Sequence, residues 1–542
     1  MATADPTTDS FAPLRQSAFA VLWAATVLGN TGTFMRDVAS AWLVTDLSAS
    51  PMAVALIQVA GTLPIFLLAI PAGVLSDILD RRRFLICIQL LLAAVSATLM
   101  VLSHTGAIGV GSLIALTLLG GVGAALMGPT WQSIVPELVP RADVRNAVAL
   151  NSLGINIARS IGPALGGLLL ATFGAALTYG VDVLSYVLVI AALVWWRRPP
   201  DAASELREHF AGALRAGLRY ARASRELHRV VLRATAYFLF ASAIWALLPL
   251  VARDLLEGGA GFYGLLLGAV GVGAIAGAIL LPRLRVHLDA DGLMLTAAVA
   301  TALVMGSLAL APPRWIALIL LFVLGVAWIA TLTTLNATAQ AVLPNWVRGR
   351  GLAIYLTVFN GSMAGGSVVW GLVAQQIGVA STLLVSGCGL IVIAIAMLRY
   401  RLPSVASDLM PSNHWPEPLV AAAVAADRGP VLVLIHHHVR QADHGAFLSA
   451  LAPLSEERRR DGAYVWGVTE DANDPTHIVE WFMVESWAEH LRQHKRVTNA
   501  DADVQRALAR YQIDGRAPVV EHFLTLGVRH AASPPGTPGP ER

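Results

Sequence analysis

The stretch GVLSDILDRRRFL, residues 73–85, contains a short charged turn between two long apolar blocks. The blocks, residues 52–75 and 84–103, have no charged side chain. A helix needs about 20 mostly apolar residues to cross the hydrocarbon core of a bilayer, because its backbone groups must hydrogen-bond within the segment there. The two blocks therefore predict membrane-spanning helices, and the arginines predict a turn at the membrane surface.

The same alternation of apolar blocks and polar turns extends over most of the chain. Of its 542 residues, 56% are hydrophobic and 13% are charged, which is typical of a polytopic membrane protein. The sequence predicts an all-α membrane region with twelve spans, at residues 17–43, 52–75, 84–103, 107–132, 148–172, 176–196, 232–252, 261–282, 293–311, 314–340, 350–376 and 378–398. No Walker sequence is present, so an ion gradient is the expected energy source. Cys87 and Cys388 fall within spans, which excludes a disulfide framework.

An internal repeat relates the two halves of this region. A shift of 204 residues, without a gap, aligns five pairs of glycines: Gly73 with Gly277, Gly121 with Gly325, Gly162 with Gly366, Gly167 with Gly371, and Gly174 with Gly378. Because the shift places span 2 on span 8 and span 5 on span 11, the repeats are parallel, with an axis along the membrane normal. We therefore expect two similar six-helix halves.

Arginines indicate the orientation. They cluster in alternate connections, from Arg81–Arg83 onward, whereas the other connections hold only Arg253 and Arg314. By the positive-inside rule, both termini are predicted to be cytoplasmic in a multi-pass protein of a bacterial plasma (inner) membrane. The predicted organisation is a cytoplasmic N-terminus (1–16), the first half (17–196), a linker helix (197–231), the second half (232–400), a linker (401–429), a small α+β domain (430–528) and a disordered tail (529–542).

Two regions leave alternatives open. The linker suggests a helix with Phe210, Leu214, Leu218 and Tyr220 along one side, either on the membrane surface or as a solvated linker. In the tail, strands are predicted at 431–439, 463–470, 478–484 and 517–526, and helices at 442–460 and 486–511. His490 and His494 at i, i+4 could bind a metal, but no third ligand is evident, so neither a metal nor another cofactor is predicted.

Three groups of residues in the spans are candidates for function. At the turn, Gly73 would allow close helix approach, and Asp77, Arg81 and Arg82 form a charge cluster suited to gating, or else to anchoring the topology. In span 5, Gly162, Pro163, Gly166 and Gly167 would permit tight helix contact and bending. The intramembrane charges are Arg36, Asp37, Arg159 and Asp182, of which Asp37 is the preferred proton-responsive group because span 1 is expected to line the cavity. Alternatively, Asp37 pairs with Arg36 or caps a helix. Polar cavity contacts could come from Gln58, Asn151, Asn156, Asn336, Gln340 and Asn360.

The turn resembles the signature loop of the major facilitator superfamily, with its glycine, aspartate four residues later and basic pair. Ile78 and Asp80 depart from that pattern, so the resemblance implies gating only for Asp77 and Arg81. Together with GPTWQSIVPELVPR (128–141), NIARSIGPALGG (156–167) and RRRDGAYVWG (458–467), the chain is similar to the transmembrane secretion effector branch, which includes the enterobactin exporter.

The resemblance implies a secondary active transporter rather than an enzyme. The expected activity is proton-coupled export of an amphipathic small molecule, such as a siderophore, antibiotic or drug-like metabolite, with the lipid bilayer and protons as partners and no nucleic acid. The tail resembles ferredoxin-like antibiotic biosynthesis monooxygenase domains, which implies a possible homodimer. The competing hypothesis is a membrane-anchored monooxygenase or ligand sensor that acts through this tail.

Overall fold

The apolar blocks form long helices. The computed structural model describes residues 11–197, 218–344, 346–403, 412, 424–425 and 427–526. These residues fall into two units, the first within 1–210, 226–340 and 350–405, and the second within 211–225, 341–349 and 406–542. In the described residues, eleven helices are long and apolar enough to cross a membrane. They comprise α1 Ser17–Leu47, α2 Pro51–Ile78, α3 Arg81–His104, α4 Val110–Ile134, α5 Val144–Trp195, α6 Arg225–Leu250, α7 Ala260–His287, α8 Ala290–Ala309, α9 Arg314–Ala341, α10 Arg348–Ile377 and α11 Val379–Ala396.

Helix α5 is unusual because it has 52 residues. At a rise of 1.5 Å per residue it would be about 78 Å long, roughly twice the thickness of a bilayer. Its backbone is non-helical at Gly174, where φ is 81° and ψ is 176°, and the predicted spans 5 and 6 lie on either side of this residue. Gly378, 204 residues later, has φ 83° and ψ 164° and separates α10 from α11. Left-handed φ favours glycine, so the sequence repeat is also a repeat of backbone conformation.

We name the two ends of the helical unit by these features. The glycine-turn end carries Gly174 and Gly378, and the arginine end carries Arg81–Arg83. At the arginine end, Asp80 is the N-cap of α3 and accepts a hydrogen bond from the backbone N–H of Arg83 at 2.8 Å. This cap explains why Asp80 stands where the loop of the superfamily has glycine. Its side-chain oxygen accepts a hydrogen bond from a backbone N–H that has no partner within the helix.

The second unit contains a four-stranded antiparallel sheet. Its strands are β1 Val431–His438, β2 Val465–Glu470, β3 His477–Val484 and β4 Val519–Leu524, in the spatial order β2-β3-β1-β4. Helix α12, His444–Asp461, connects β1 to β2, and α13, Trp487–Arg496, and α14, Asn499–Ala509, connect β3 to β4. Alternate residues of β1 are buried, and His437 shares the buried face with Val433 and Ile435.

The prediction of one helix over 486–511 is wrong. Val497 has an extended backbone, and Thr498 begins α14 with a capping box in which its hydroxyl and the Asp501 carboxylate each accept the other residue's N–H. A Thr-x-x-Asp pattern inside an apparently continuous helix is the signal that the sequence reading missed.

The linker is described only from residue 218, so Phe210 and Leu214 lie outside the described residues. Tyr220 is buried within the second unit, where its hydroxyl donates to the Val342 carbonyl at 2.9 Å. Its ring also meets the Trp346 ring edge-on, with centroids 5.8 Å apart. Tyr220 therefore packs against the connection between α9 and α10.

Candidate functional site

A buried carboxylate lies where α1, α3 and α5 meet. The Asp182 side chain is fully buried and accepts hydrogen bonds from Ser96 at 2.6 Å and from Ser185 at 3.4 Å. The nearest cation is the guanidinium of Arg36, 3.8 Å away. A carboxylate in an apolar bundle is costly unless it is paired and hydrogen-bonded, and Asp182 has both kinds of partner.

Arg36 connects this carboxylate to a second one. Its guanidinium donates to Asp37 Oδ1 at 3.0 Å and to the Tyr186 hydroxyl at 3.0 Å. Arg36 is buried, whereas half of the Asp37 side chain is exposed. A single buried arginine thus contacts one accessible and one inaccessible acid, so a change in the charge of either acid alters the field at the other.

The contact between α1 and α5 depends on a glycine. A Cβ at Gly32 would lie 2.8 Å from Asp182 Oδ1 and still closer to the Ser185 hydroxyl, so only glycine lets the two helices approach this closely. Along the same contact, Thr33 bonds the Tyr186 hydroxyl at 2.9 Å, and Ser40 bonds the Tyr179 hydroxyl at 3.2 Å. Sequence reasoning missed these tyrosines. Their spacing of three and four residues from Asp182 places them on one helix face, which could have identified them.

A cavity of about 190 Å³ borders this network. Arg36 and Tyr186 line it, together with the polar side chains of Thr26, Asn30, Thr33, Gln132 and Asn151. The Asn151 side chain accepts a hydrogen bond from Trp131 Nε1 at 2.8 Å, which fixes the orientation of its amide. Polar side chains that converge on a concave site can orient a small molecule by hydrogen bonds.

Arg159 does not join the network. Its side chain is exposed, and its guanidinium lies 6.0 Å from the centre of the Phe34 ring. No carboxylate of the described residues lies within 4 Å of it. Of the four predicted intramembrane charges, the structure brings together Arg36, Asp37 and Asp182 and leaves Arg159 apart.

The small residues of α5 make the tight contacts that the sequence predicts. A Cβ at Gly162 would lie 2.7 Å from Phe34 Cβ, and one at Gly166 would lie 2.7 Å from Met35 Cα, both on α1. A Cβ at Gly167 would lie 2.6 Å from Gly264 Cα on α7. Pro163 lies within continuous helix, and its carbonyl contacts α7 beside Gly264.

The second half repeats these contacts. Gly366, the repeat partner of Gly162, packs against Ser242 on α6, and Gly371, the partner of Gly167, packs against Ala55 on α2. Thus α5 contacts α1 of its own half and α7 of the other, while α10 contacts α6 of its own half and α2 of the other. The glycines therefore set the packing both within and between the halves.

At the arginine end, the two basic residues have different partners. Arg81 forms an ion pair with Glu137, just after α4, and donates to the carbonyls of Ser76 at 3.3 Å and Ser133 at 3.4 Å. Arg82 donates to the carbonyls of Leu193 and Val194, each at 2.7 Å, and so satisfies the end of α5. Glu137 was not predicted as a site residue.

The two remaining residues of the turn give a mixed result. The side chain of Asp77 lies outside the described part of the structure. A Cβ at Gly73 would meet no atom within 4 Å, so the expectation that Gly73 permits close helix approach is wrong for this arrangement.

The second unit has its own buried charge pair. Glu480 accepts hydrogen bonds from Arg458 and from Trp466, both at 3.1 Å, and its other oxygen lies 3.7 Å from His437. Burial alone would raise the pKa of Glu480, but Arg458 and the hydrogen bonds outweigh burial and lower it to about 2. This carboxylate is therefore ionised at neutral pH, and it binds α12 to the sheet.

Comparison with known proteins identifies the family. Residues 8–530 match the family described as transmembrane secretion effectors, which covers nearly the whole chain, including the second unit. The chain belongs to this family. These effectors are transporters of the major facilitator superfamily, so the protein is a multi-pass membrane transporter and not an enzyme. Its relatives give no support to the hypothesis of a tethered monooxygenase.

Individual relatives of this secretion effector are efflux proteins and siderophore transporters. It is 27% identical to the multidrug efflux pump Tap of Mycolicibacterium fortuitum, over 71% of this chain and 97% of the pump. It is 30% identical to the enterobactin exporter EntS of Citrobacter koseri, over 55% of this chain and 74% of the exporter. Among solved structures, the nucleoside transporter NupG superposes with a TM-score of 0.62 at 10% identity, over 71% of this chain and 99% of NupG, which shows the shared fold.

Proposed function

We propose that this transmembrane secretion effector is a proton-coupled exporter of an amphipathic small molecule that works by alternating access. The observation that carries the proposal is the buried contact of Arg36 with Asp182 beside a polar-lined cavity. The substrate class, a siderophore or a drug-like metabolite, is supported by the relatives, which include an enterobactin exporter and a multidrug efflux pump.

We infer twelve spans, because the break at Gly174 divides α5 into two segments that are each long enough to cross a bilayer. The distribution of arginines supports placing the arginine end and both termini in the cytoplasm of a bacterial cell with the protein in its inner membrane. We infer that the second unit is a ferredoxin-like domain with a dimerisation or sensing role; the strand order β2-β3-β1-β4 and the βαββααβ sequence, which has one helix more than the βαββαβ motif, support this.

The packing between halves supports a state that is closed at the glycine-turn end. There, Gly167 contacts Gly264, and Arg253 at the end of α6 hydrogen-bonds to the carbonyl of Thr45 on α1. Toward the arginine end, polar side chains of membrane helices are exposed instead, including Asn156 on α5 and Asn336 with Gln340 on α9. Exposed amides suit a water-filled vestibule, so this is an inward-open state in the proposed orientation.

Coupling follows from the shared arginine. When Asp182 is ionised, Arg36 is held between two carboxylates and a tyrosine hydroxyl. Protonation of Asp182 removes one of these attractions, which frees the guanidinium to move toward the cavity that it already lines. Asp37 is the accessible acid of the network and the predicted proton-responsive group, so it is the proposed entry point for the proton.

Gating follows from the turn at the arginine end. The Arg81–Glu137 ion pair joins the start of α3 to the segment after α4, and Arg82 joins α3 to the end of α5. We propose that Arg81, with Asp77, holds these helix ends as one body that moves when the vestibule closes.

Transport by the purified protein in liposomes tests the proposal, with an imposed pH gradient and ethidium or a catecholate siderophore as cargo. We expect Asp182→Asn to reduce gradient-driven uptake at least tenfold while substrate exchange without a gradient continues. Glu257→Gln, a change at an exposed acid outside the network, is the matched control. Equal transport with and without the gradient, in wild type and in Asp37→Asn and Asp182→Asn, would refute proton coupling through this site.

A further inference from the structure

Three histidines of the second unit converge between α13 and β4. His490 and His494 lie one turn apart on α13, and His522 lies on the edge strand β4. One ring nitrogen from each lies within 4.8 Å of the other two. The sequence around His490 and His494 offers no evident third ligand for a metal, and His522 supplies one from a segment about 30 residues away along the chain.

The surrounding structure fixes the positions of these rings. The strand that carries His522 pairs with β1, where His522 is opposite Val433 of the buried face. Trp487, at the start of α13, packs against both His490 and His522, with ring centroids 5.5 and 6.2 Å apart. The Trp487 ring and the pairing of β4 with β1 therefore restrict the positions of the imidazoles. Such restriction is typical of sites whose ligands are positioned before the ion binds.

Two of the three imidazoles, those of His490 and His522, are in the chemical form that binds metals. Burial lowers the pKa of His490 to about 3, with a smaller contribution from the neighbouring histidines, and burial also lowers the pKa of His522. Both rings are therefore neutral at physiological pH and offer a lone pair. In the part of the chain that the structure describes, Nδ1 of His490 and Nε2 of His522 are buried without a hydrogen-bond partner.

The spacing also suits an ion. The Nε2 atoms of His490 and His494 are 3.2 Å apart, in a hydrogen bond that a shared ion would replace. Two nitrogens bound to tetrahedral zinc at about 2.0–2.1 Å are separated by about 3.4 Å. Only His522 needs to move closer, by about 1 Å or somewhat more, which rotation of one imidazole on an edge strand can provide.

We propose that His490, His494 and His522 form a binding site for a divalent transition-metal ion of the zinc class, with a fourth position left for water or an outside ligand. Imidazole is a preferred ligand of zinc, copper and nickel, and three histidines are a sufficient protein set for zinc. This inference is independent of proton-coupled export, because none of the three residues belongs to the membrane-spanning unit.

A second group of histidines in the same unit is not such a site. His477 stacks on His436 and His438 with interplanar angles of 19° and 18° and centroids about 5 Å apart. Parallel rings cannot direct their lone pairs to one point between them. In addition, His477 is hydrogen-bonded to Asp471 at 3.1 Å and to His436 at 2.9 Å.

Metal binding would act on a helix with other contacts. Glu489 of α13 accepts a hydrogen bond from Arg219 of the linker at 2.7 Å, and Arg496 lies 4.4 Å from the ring centre of Trp346 in the α9–α10 connection. An ion that ties α13 to β4 would thus stiffen the helix that holds both connections. The metal-bound tail domain would hold them more firmly than the metal-free one.

The test uses the full-length protein in detergent, stripped with a chelator and dialysed against zinc chloride, with bound zinc counted by mass spectrometry. We expect one zinc per chain, a rise in the melting temperature of the tail, and visible d–d bands of a tetrahedral ion after cobalt substitution. His522→Gln and the half-buried His494→Gln should each weaken zinc binding at least tenfold, while circular dichroism reports that the fold is retained. His477→Gln is the matched control and should bind like the wild type.

Three results would overturn the proposal. The first is the absence of bound zinc on the wild-type protein when zinc chloride is added well above the trace zinc of the buffer. The second is wild-type affinity in folded His522→Gln and His494→Gln. The third is loss of zinc in His477→Gln alone, which would move the ion to the stacked histidines.

Discussion

A disulfide across α5 and α7 should lock the transporter with its glycine-turn end closed. A Cβ built at Gly261 lies 3.5 Å from Ala171 Cβ, with only the Gly167 carbonyl oxygen, at 3.9 Å, as another neighbour. Disulfides join residues whose Cβ atoms are about 3.5–4.5 Å apart. The pair Ala171→Cys and Gly261→Cys, in a background with Cys87→Ser and Cys388→Ser, is therefore expected to cross-link readily without disturbing the packing.

The expected size of the effect follows from geometry. The disulfide allows the two Cβ atoms to separate by only about 1 Å beyond their present distance. Release of a molecule that fills even a 300 Å³ site requires an opening of about 7 Å, the edge of a cube of that volume. The cross-linked protein cannot open far enough, so we expect transport to fall to background and to recover fully when the disulfide is reduced.

The assay is gradient-driven uptake into liposomes before and after oxidation, with cross-linking followed by gel mobility after proteolysis between α5 and α7. Phe173→Cys with Gly261→Cys is the control pair, because residue 173 is exposed and lies about 200° around the helix from residue 171. Undiminished transport by the fully cross-linked protein would refute the idea that α5 and α7 separate at this end during the cycle.

Three further changes test separate parts of the reasoning. Gly167→Ala forces an overlap with Gly264 and should destabilise the closed state by about 1–3 kcal/mol. That is about a five- to 150-fold shift of the equilibrium toward opening at the glycine-turn end, which distances between spin labels would measure. Gly365→Ala is the control, because a Cβ there meets no atom within 4 Å and should leave the equilibrium unchanged. Glu137→Gln removes the ion pair with Arg81 and should lower the transport rate several-fold without changing the amount of protein in the membrane, and an unchanged rate would mean that the pair only anchors the turn. The folded-state pKa of Glu480 is depressed, so its contribution to stability is present above about pH 4.5 and is lost as pH falls toward 2. Glu480→Gln should destabilise the tail by about 3–5 kcal/mol at pH 7. The same variant should flatten the pH dependence of the melting temperature in thermal melts.

The sequence predicts the membrane helices well because long apolar blocks have few other stable conformations. The ungapped shift of 204 residues also predicts the backbone repeat, since Gly174 and Gly378 need the same left-handed conformation. The prediction of a single helix over 486–511 failed because a capping box at Thr498 ends one helix and begins the next. The free energies of this broken conformation and of one continuous helix differ little, so the helical pattern of the sequence does not distinguish them.

The contacts around Arg36 and around His490 depend on how distant segments pack, which the sequence does not show. The sequence favours Asp37 over Asp182 because span 1 is expected to line the cavity, whereas the structure makes Asp182, about 145 residues after Arg36, the buried partner of that arginine. No local pattern reports that α5 brings Asp182 against α1 at Gly32, because the contact depends on how two distant helices pack. Similarly, His522 joins His490 only after the sheet has set the place of its edge strand.

The short turns of the helical unit have a consequence for access to its glycine-turn end. At the glycine-turn end, most connections between the described helices are one to five residues long, from the single residue Gly378 to residues 105–109, and the longer connection 251–259 contains a short π-helical turn. An antibody needs an epitope and a protease needs an extended segment of several residues, and such turns provide neither. In the proposed orientation this end faces away from the cytoplasm, so it offers a protease few extended segments, and peptide tags placed there for labelling will have to bring their own loop.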